Sequence, residues 1–95
     1  MTIIEITDNS IEVKGHSGYA SSGEDIVCAA LSIITYTSAE CMYKEEQEGS
    51  LKVIACDIKD GYALLKWEGK AQFLPFAKIG YDILAENYKE YVKEV

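Results

Sequence analysis

Alternating apolar and polar residues predict four short β-strands. The first two are rich in β-branched residues and are separated by Asp8-Asn9, and the last two are separated by Asp60-Gly61, a strong two-residue hairpin signal. Each pair is therefore expected to form an antiparallel hairpin. The four predicted strands are Thr2 to Thr7, Ser10 to Gly15, Leu51 to Ile58 and Tyr62 to Trp67.

Two longer segments have the periodicity of helices. From Asp25 to about Tyr43, apolar residues lie on every side of a helical projection, which is typical of a helix buried on most of its surface. A charged linker, Lys44 to Ser50, follows it. Pro75 can open a second helix, and the isolated Gly80 weakens its first turns. Its apolar stripe recurs at gaps of four and three residues at Ala77, Tyr81, Leu84, Tyr88, Tyr91 and Val95.

The order ββαββα predicts one α+β domain over residues 1–95, with a four-stranded, mainly antiparallel sheet and two helices. Nine Lys, no Arg and 16 acidic residues give a net charge of −7. This balance argues against direct nucleic-acid binding, because neutralising phosphates requires clustered Lys and Arg. A basic protein or peptide is the expected macromolecular partner.

The longest apolar stretch, Ile26 to Ile34, is about half as long as the ~20 residues of a membrane span, so no membrane association is expected. Met1 to Glu5 lacks the features of a secretory signal, and a cytoplasmic location follows. In that reducing compartment Cys28, Cys41 and Cys56, an odd set with no zinc or disulfide spacing, should be free thiols.

His16 and Cys28 are the candidate catalytic pair. His16 closes the second strand, Cys28 lies in the first turns of the first predicted helix, and a Gly-rich loop between them is expected to be mobile. A helix N-terminus favours a thiolate, and a neighbouring imidazole can take the thiol proton and later protonate the leaving amine. Amide groups of the same turn can bind the oxyanion.

Spacing alone also allows a structural interpretation, with Cys28 as a small core residue and His16 as a polar residue at a strand end. Cys41 and Cys56 match no reactive pattern and are interpreted as core residues. A metal site is a poorer interpretation, because His16 and Cys28 are only two ligands and no second Cys or His lies at ligand spacing. No metal or other cofactor is expected.

Asp25 has two interpretations. As the N-cap of the first helix it would accept an N–H of the first turn and place Cys28 at the third helical position. As a catalytic group it would orient His16. A different start, with Ser22 as the N-cap and Asp25 as its capping-box partner, would place Cys28 one turn deeper. Ser32, one turn after Cys28 on the same face, is interpreted as a satisfied buried hydroxyl.

The segment GHSGYASSGEDIVCAALS, residues 15 to 32, resembles the ribosomal-processing cysteine protease family, Prp, of Firmicutes and related bacteria. The likeness rests on Gly15-His16, a short Gly- and Ser-containing loop that reaches Gly23, the run Asp25 to Ala30, and Ser32. Length and element order also fit over nearly the whole chain. Beyond residue 32 the similarity is one of pattern rather than of motif.

This resemblance implies an α+β fold, commonly dimeric, with His16 and Cys28 as the catalytic dyad. It also implies a basic substrate, bacterial large-subunit ribosomal protein twenty-seven, whose short N-terminal extension is cut after an aromatic residue in an apolar stretch. The opposite charges would speed association. The aromatic side chain has candidate contacts in Tyr19, Tyr36, Tyr43 and Tyr62.

The loop between the dyad residues becomes a candidate lid over the bound peptide. It consists of Ser17, Gly18, Tyr19, Ala20, Ser21, Ser22 and Gly23. The alternative function is a non-catalytic, ribosome-associated protein-binding module in which the thiol is incidental.

Overall fold

The computed structural model describes residues 1–95 and has seven elements, ββαββα followed by a short fifth strand. Both hairpins form as predicted, and Asp60-Gly61 is the turn of the second. The elements are β1 (Thr2–Thr7), β2 (Ser10–Lys14), α1 (Ile26–Gln47), β3 (Leu51–Lys59), β4 (Tyr62–Gly69), α2 (Leu74–Asn87) and β5 (Val92–Glu94).

The sheet has five strands in the order β3-β4-β2-β1-β5, so the prediction of four strands is wrong. The three pairings among β1 to β4 are antiparallel, whereas β5 runs parallel to β1. The pairing of β2 with β4 brings the two hairpins together. As a result, the end of β2 lies beside the turn of the second hairpin, with Lys14 paired to Tyr62.

The second helix is shorter than predicted, because it does not continue to Val95. α2 ends at Asn87, and Tyr88 leaves the helical conformation with φ −129° and ψ 51°. The chain then gains sheet hydrogen bonds that a longer helix would forgo: Thr2 N–H donates to Tyr91 O at 2.8 Å, and Val95 N–H donates to Ile4 O at 2.9 Å. These bonds pair the outer edge of β1, which would otherwise be open.

α1 is longer and less buried than predicted. It continues through most of the expected charged linker to Gln47, and Gly49 in a positive-φ conformation follows its C-cap. One face packs on the core, while Ile33, Tyr36 and Tyr43 are exposed. By length and composition α1 meets the criteria for a membrane span, as core helices of soluble proteins also do. Here it contacts α2, β3 and β4.

The core lies between the two helices and one face of the sheet, and Trp67 is the largest of its fully buried side chains. Thr35 of α1 and Tyr81 of α2 share a buried 2.8 Å hydrogen bond. Gly80 permits a close approach of the helices, because a Cβ there would lie 3.1 Å from Cδ1 of Ile34. The glycine that weakens α2 as an isolated helix therefore helps it to pack.

Candidate active site

Gly15 fixes the position of His16 at the end of β2. Gly15 has φ +88°, and a Cβ at this position would collide with Met1 O at 2.6 Å. Its N–H donates to Gly61 O at 2.8 Å, and its carbonyl accepts the Thr2 hydroxyl at 3.0 Å. Backbone contacts on both sides thus hold the residue that carries the imidazole.

The imidazole of His16 rests on the turn between β3 and β4. Nε2 lies 3.7 Å from Asp60 Oδ2, and the His16 side chain is 63% exposed. A Cβ on Gly61 would stand only 3.0 Å from Nε2. His16 therefore presents an accessible imidazole within 4 Å of the carboxylate of Asp60, a residue that the sequence marks only as part of a turn.

Cys28 occupies the third position of α1, as the simpler of the two predicted helix starts requires. Asp25 is the N-cap, and its Oδ1 accepts Cys28 N–H at 2.9 Å. The alternative start with a Ser22 cap is wrong. Cys28 is half-buried, like Cys41 and Cys56, and all three are free thiols. The last two pack against the core from its edge rather than within it.

Asp25 organises the loop instead of contacting His16. Its Oδ2 accepts the Ser17 hydroxyl at 2.6 Å and the amides of Tyr19 and Ala20 at 3.1 and 3.3 Å. Partial burial raises the pKa of this carboxyl, but the hydrogen bonds from Ser17, the Cys28 N–H and Ala20 outweigh it and lower the pKa to about 2. Asp25 is therefore ionised at neutral pH.

The first half of the loop is anchored a second time by aromatic contacts. The ring of Tyr19 packs edge-on against Tyr88 and Tyr91, with centroid distances of 5.8 and 5.2 Å. Ser21, Ser22 and Gly23 are exposed and form a turn closed by Glu24 N–H to Ser21 O. A lid movement of the whole loop has to break the contacts of Asp25 and Tyr19, whereas the second half has no such restraint.

His16 and Cys28 line the same cavity, of about 310 Å³, between the start of α1 and the β3–β4 turn. Ser32, Tyr36 and Tyr62 line it as well, whereas Tyr19 and Tyr43, the other two candidate tyrosines, do not. Ser32 is exposed, so its interpretation as a satisfied buried hydroxyl is wrong. The thiol is hydrogen-bonded to Ser17 rather than to the imidazole: Sγ lies 3.4 Å from Ser17 Oγ and 3.5 Å from Ser17 N.

The family model of the cysteine protease Prp matches residues 1–93. The chain belongs to the Prp family of cysteine proteases. It is thus a cysteine protease rather than the non-catalytic module considered from the sequence. A comparison with curated protein sequences finds no match.

The solved structures that share the fold include the following three. Two are of the essential ribosomal processing protease Prp from S. aureus. The complex with a covalently linked product peptide is 19% identical with a TM-score of 0.76, and the alignment covers 98% of this chain and 94% of that chain. The complex with a substrate peptide is 17% identical with a TM-score of 0.71, covering 99% and 95%. SMU.848 from Streptococcus mutans is 25% identical with a TM-score of 0.64, covering 98% and 87%.

The N-cap of α1 changes which backbone amides are free to bind an oxyanion at this site. The Cys28 amide is engaged by Asp25, so it is not free to bind an oxyanion while the cap is intact. The amides of Ile26 and Val27 in the same turn make no hydrogen bond within the chain. These two groups are the unpaired donors of the helix start.

Proposed function

We propose that this protease removes the N-terminal extension of bacterial large-subunit ribosomal protein twenty-seven in the cytoplasm, with Cys28 as the nucleophile and His16 as the general base and acid. The observation that carries the assignment is that both side chains line one open cavity at the start of α1. Family membership supports a peptide substrate.

The proposed reaction follows the usual order for a cysteine protease. Cys28 Sγ attacks the scissile carbonyl carbon, and its proton passes to His16. The imidazolium then protonates the departing amine as the peptide bond breaks. Water, deprotonated by His16, hydrolyses the thioester, and the thiol is restored. The unpaired amides of Ile26 and Val27 are the proposed donors to the oxyanion.

Proton transfer requires a rearrangement of the resting site, because the thiol is bonded to Ser17. Catalytic hydrogen bonds often tighten only when substrate is bound. The imidazole of His16 can turn within the cavity toward Cys28, since it is exposed and its contact with Asp60 is a solvent-exposed one of 3.7 Å. Peptide binding is the proposed trigger of that movement.

The cavity and the net charge support the proposed substrate. Tyr36, Ile58 and Tyr62 give the cavity an apolar and aromatic wall that suits an aromatic side chain beside the scissile bond. The charge of −7 favours association with a basic ribosomal protein, and no direct nucleic-acid contact is proposed. A homodimer is also proposed, because Ile33, Phe76 and Ile83 leave apolar surface exposed on the two helices.

The decisive experiment incubates the protein with ribosomal protein twenty-seven that carries its extension, under reducing conditions, and follows the substrate by mass spectrometry. One cut after an aromatic residue is expected. Cys28→Ala and His16→Ala should each abolish cleavage, whereas Cys41→Ala and Cys56→Ala should cleave at the wild-type rate. Intact substrate with the wild type, or cleavage by Cys28→Ala, would refute the proposal. Sedimentation of the free protein as a monomer would refute the dimer.

A further inference from the structure

Ser17 is a buried polar residue that joins the two residues at the start of α1. Only 2% of its surface is exposed. Its hydroxyl lies 2.6 Å from Asp25 Oδ2 and 3.4 Å from Cys28 Sγ, and its backbone N–H also points to the sulfur, at 3.5 Å. Asp25, Ser17 and Cys28 thus form a continuous hydrogen-bonded chain. The proposed reaction does not use Ser17.

The directions of these hydrogen bonds follow from the charge of Asp25. The carboxyl has a pKa of about 2, so at neutral pH it can only accept. The Ser17 proton is therefore donated to Asp25 Oδ2 in a short, charge-assisted bond. Ser17 Oγ, which also accepts the Tyr19 N–H at 3.3 Å, then presents a lone pair to the sulfur, so the 3.4 Å contact is a hydrogen bond only when Cys28 donates to it as a neutral thiol.

We propose that Ser17 is a positioning residue that holds the resting Cys28 as a neutral thiol, bonded to the loop instead of to His16. Loss of the thiol proton would leave a negative sulfur facing the lone pairs of Ser17 Oγ, unless the Ser17 hydroxyl gave up its bond to Asp25. Ser17 begins the loop that Asp25 and Tyr19 anchor, so displacing this loop with a peptide would also release the thiol. The inference rests on the proposed role of Cys28.

The test measures the alkylation of each cysteine by iodoacetamide as a function of pH, with mass spectrometry reporting the three sites separately. Ser17→Ala removes the hydroxyl and keeps the backbone N–H. Ser38→Ala is the matched control, because Ser38 is equally buried in α1 but donates to Ile34 O. Both variants keep the titratable groups around the thiol, which are His16, Asp25, Tyr36, Lys59, Asp60 and Tyr62.

In Ser17→Ala, the rate of alkylation of Cys28 at pH 7 should rise about two- to tenfold, the range expected from the loss of one hydrogen bond. Its pH profile should move to lower pH while the rate at the alkaline plateau stays the same. A higher plateau would mean that the variant merely opens access, and an unchanged or slower rate at pH 7 would mean that Ser17 does not hold the proton. Both results refute the proposal. Cys41, Cys56 and the Ser38→Ala control should keep wild-type rates.

A second measurement needs no change at Ser17. The Raman spectrum of the wild type minus that of Cys28→Ala should contain an S–H stretching band at neutral pH, shifted as expected for a hydrogen-bonded thiol. Absence of this band refutes the proposal even if Ser17→Ala fails to fold. Neither readout depends on peptide cleavage, so failure of the proposed protease reaction and failure of the role of Ser17 give different results.

Discussion

Gly61 lies against the imidazole of His16, although the two residues belong to different hairpins. A Cβ on Gly61 would be 3.0 Å from His16 Nε2, and the Gly61 carbonyl accepts Gly15 N–H at 2.8 Å. The turn between β3 and β4 therefore supports the end of β2 both at the backbone and at the side chain. This contact fixes the resting position of the His16 imidazole, from which it turns toward Cys28 in the proposed reaction.

Gly61→Ala should reduce peptide cleavage at least tenfold, because the added methyl displaces the imidazole. The alanine also has to adopt φ +74°, at a cost of about 1 kcal/mol in stability. Gly49→Ala is the matched control, since Gly49 has φ +85° and nothing within 4 Å of its Cβ position. Both variants should lose similar stability in chemical denaturation, but only Gly61→Ala should lose kcat/KM. An equal loss of activity in the two variants would argue against the contact.

Asp25→Asn should destabilise the protein at neutral pH, because it weakens the charge-assisted hydrogen bonds that the carboxylate accepts from Ser17, Tyr19 and Ala20. The expected loss is only about 1–2 kcal/mol, because the carboxylate is partly screened by solvent. Asn still serves as an N-cap, so α1 should persist. The folded pKa of Asp25 is lowered from 3.8 to about 2. Its contribution is therefore complete above pH 3.8 and is lost as the pH falls through about 2.

The measurement for Asp25→Asn is the free energy of unfolding of the wild type and the variant across that pH window. The difference between them should narrow as the pH falls. Asp8→Asn, at the exposed turn between β1 and β2, controls for the loss of one charge. A difference that stays constant down to pH 2 would contradict the prediction.

Tyr19→Leu should loosen the loop without unfolding the domain, because it removes two edge-to-face contacts with Tyr88 and Tyr91. Each such contact contributes about 1 kcal/mol. Hydrogen exchange at the amides of residues 18–20 should become faster, while exchange in β2 and β4 should not change. Tyr43→Leu, a change at a similarly exposed ring on α1, should leave the loop as protected as in the wild type. Unchanged exchange in Tyr19→Leu would contradict this anchoring role.

Tyr81→Phe should cost about 0.5–1.5 kcal/mol at neutral pH, because it removes the buried bond to Thr35. Burial raises the pKa of Tyr81 to about 12, although the hydrogen bond with Thr35 lowers it. The stabilisation of the folded state by the neutral phenol is therefore complete below pH 10.0, and it is lost as the pH rises through about 12. In alkaline denaturation the free energy of unfolding of Tyr81→Phe should approach that of the wild type over this range. A parallel pH dependence of Tyr81→Phe and the wild type would contradict the assignment.

Local patterns in the sequence predict the features that depend on neighbouring residues. Asp60-Gly61 specifies a hairpin turn, Pro75 lies in the first turn of α2, and Asp25 caps α1 three residues before Cys28. Turn conformations and helix caps are determined within a few residues of chain, so the sequence carries them directly. The motif around His16 and Cys28 likewise carries the resemblance that the family match confirms.

Only the tertiary structure decided which distant segments meet. In the sequence, the segment Val92–Glu94 continues the apolar spacing of α2. In the fold it forms a short strand instead, because the edge of β1 is available for pairing. The pairing of β2 with β4 brings Asp60 and Gly61 to His16. These residues lie too far apart in the sequence for a local pattern to predict the contact. The fold also turns Asp25 toward Ser17 and the loop. The sequence thus determined the chemistry at the start of α1, while long-range packing determined the partners of each group.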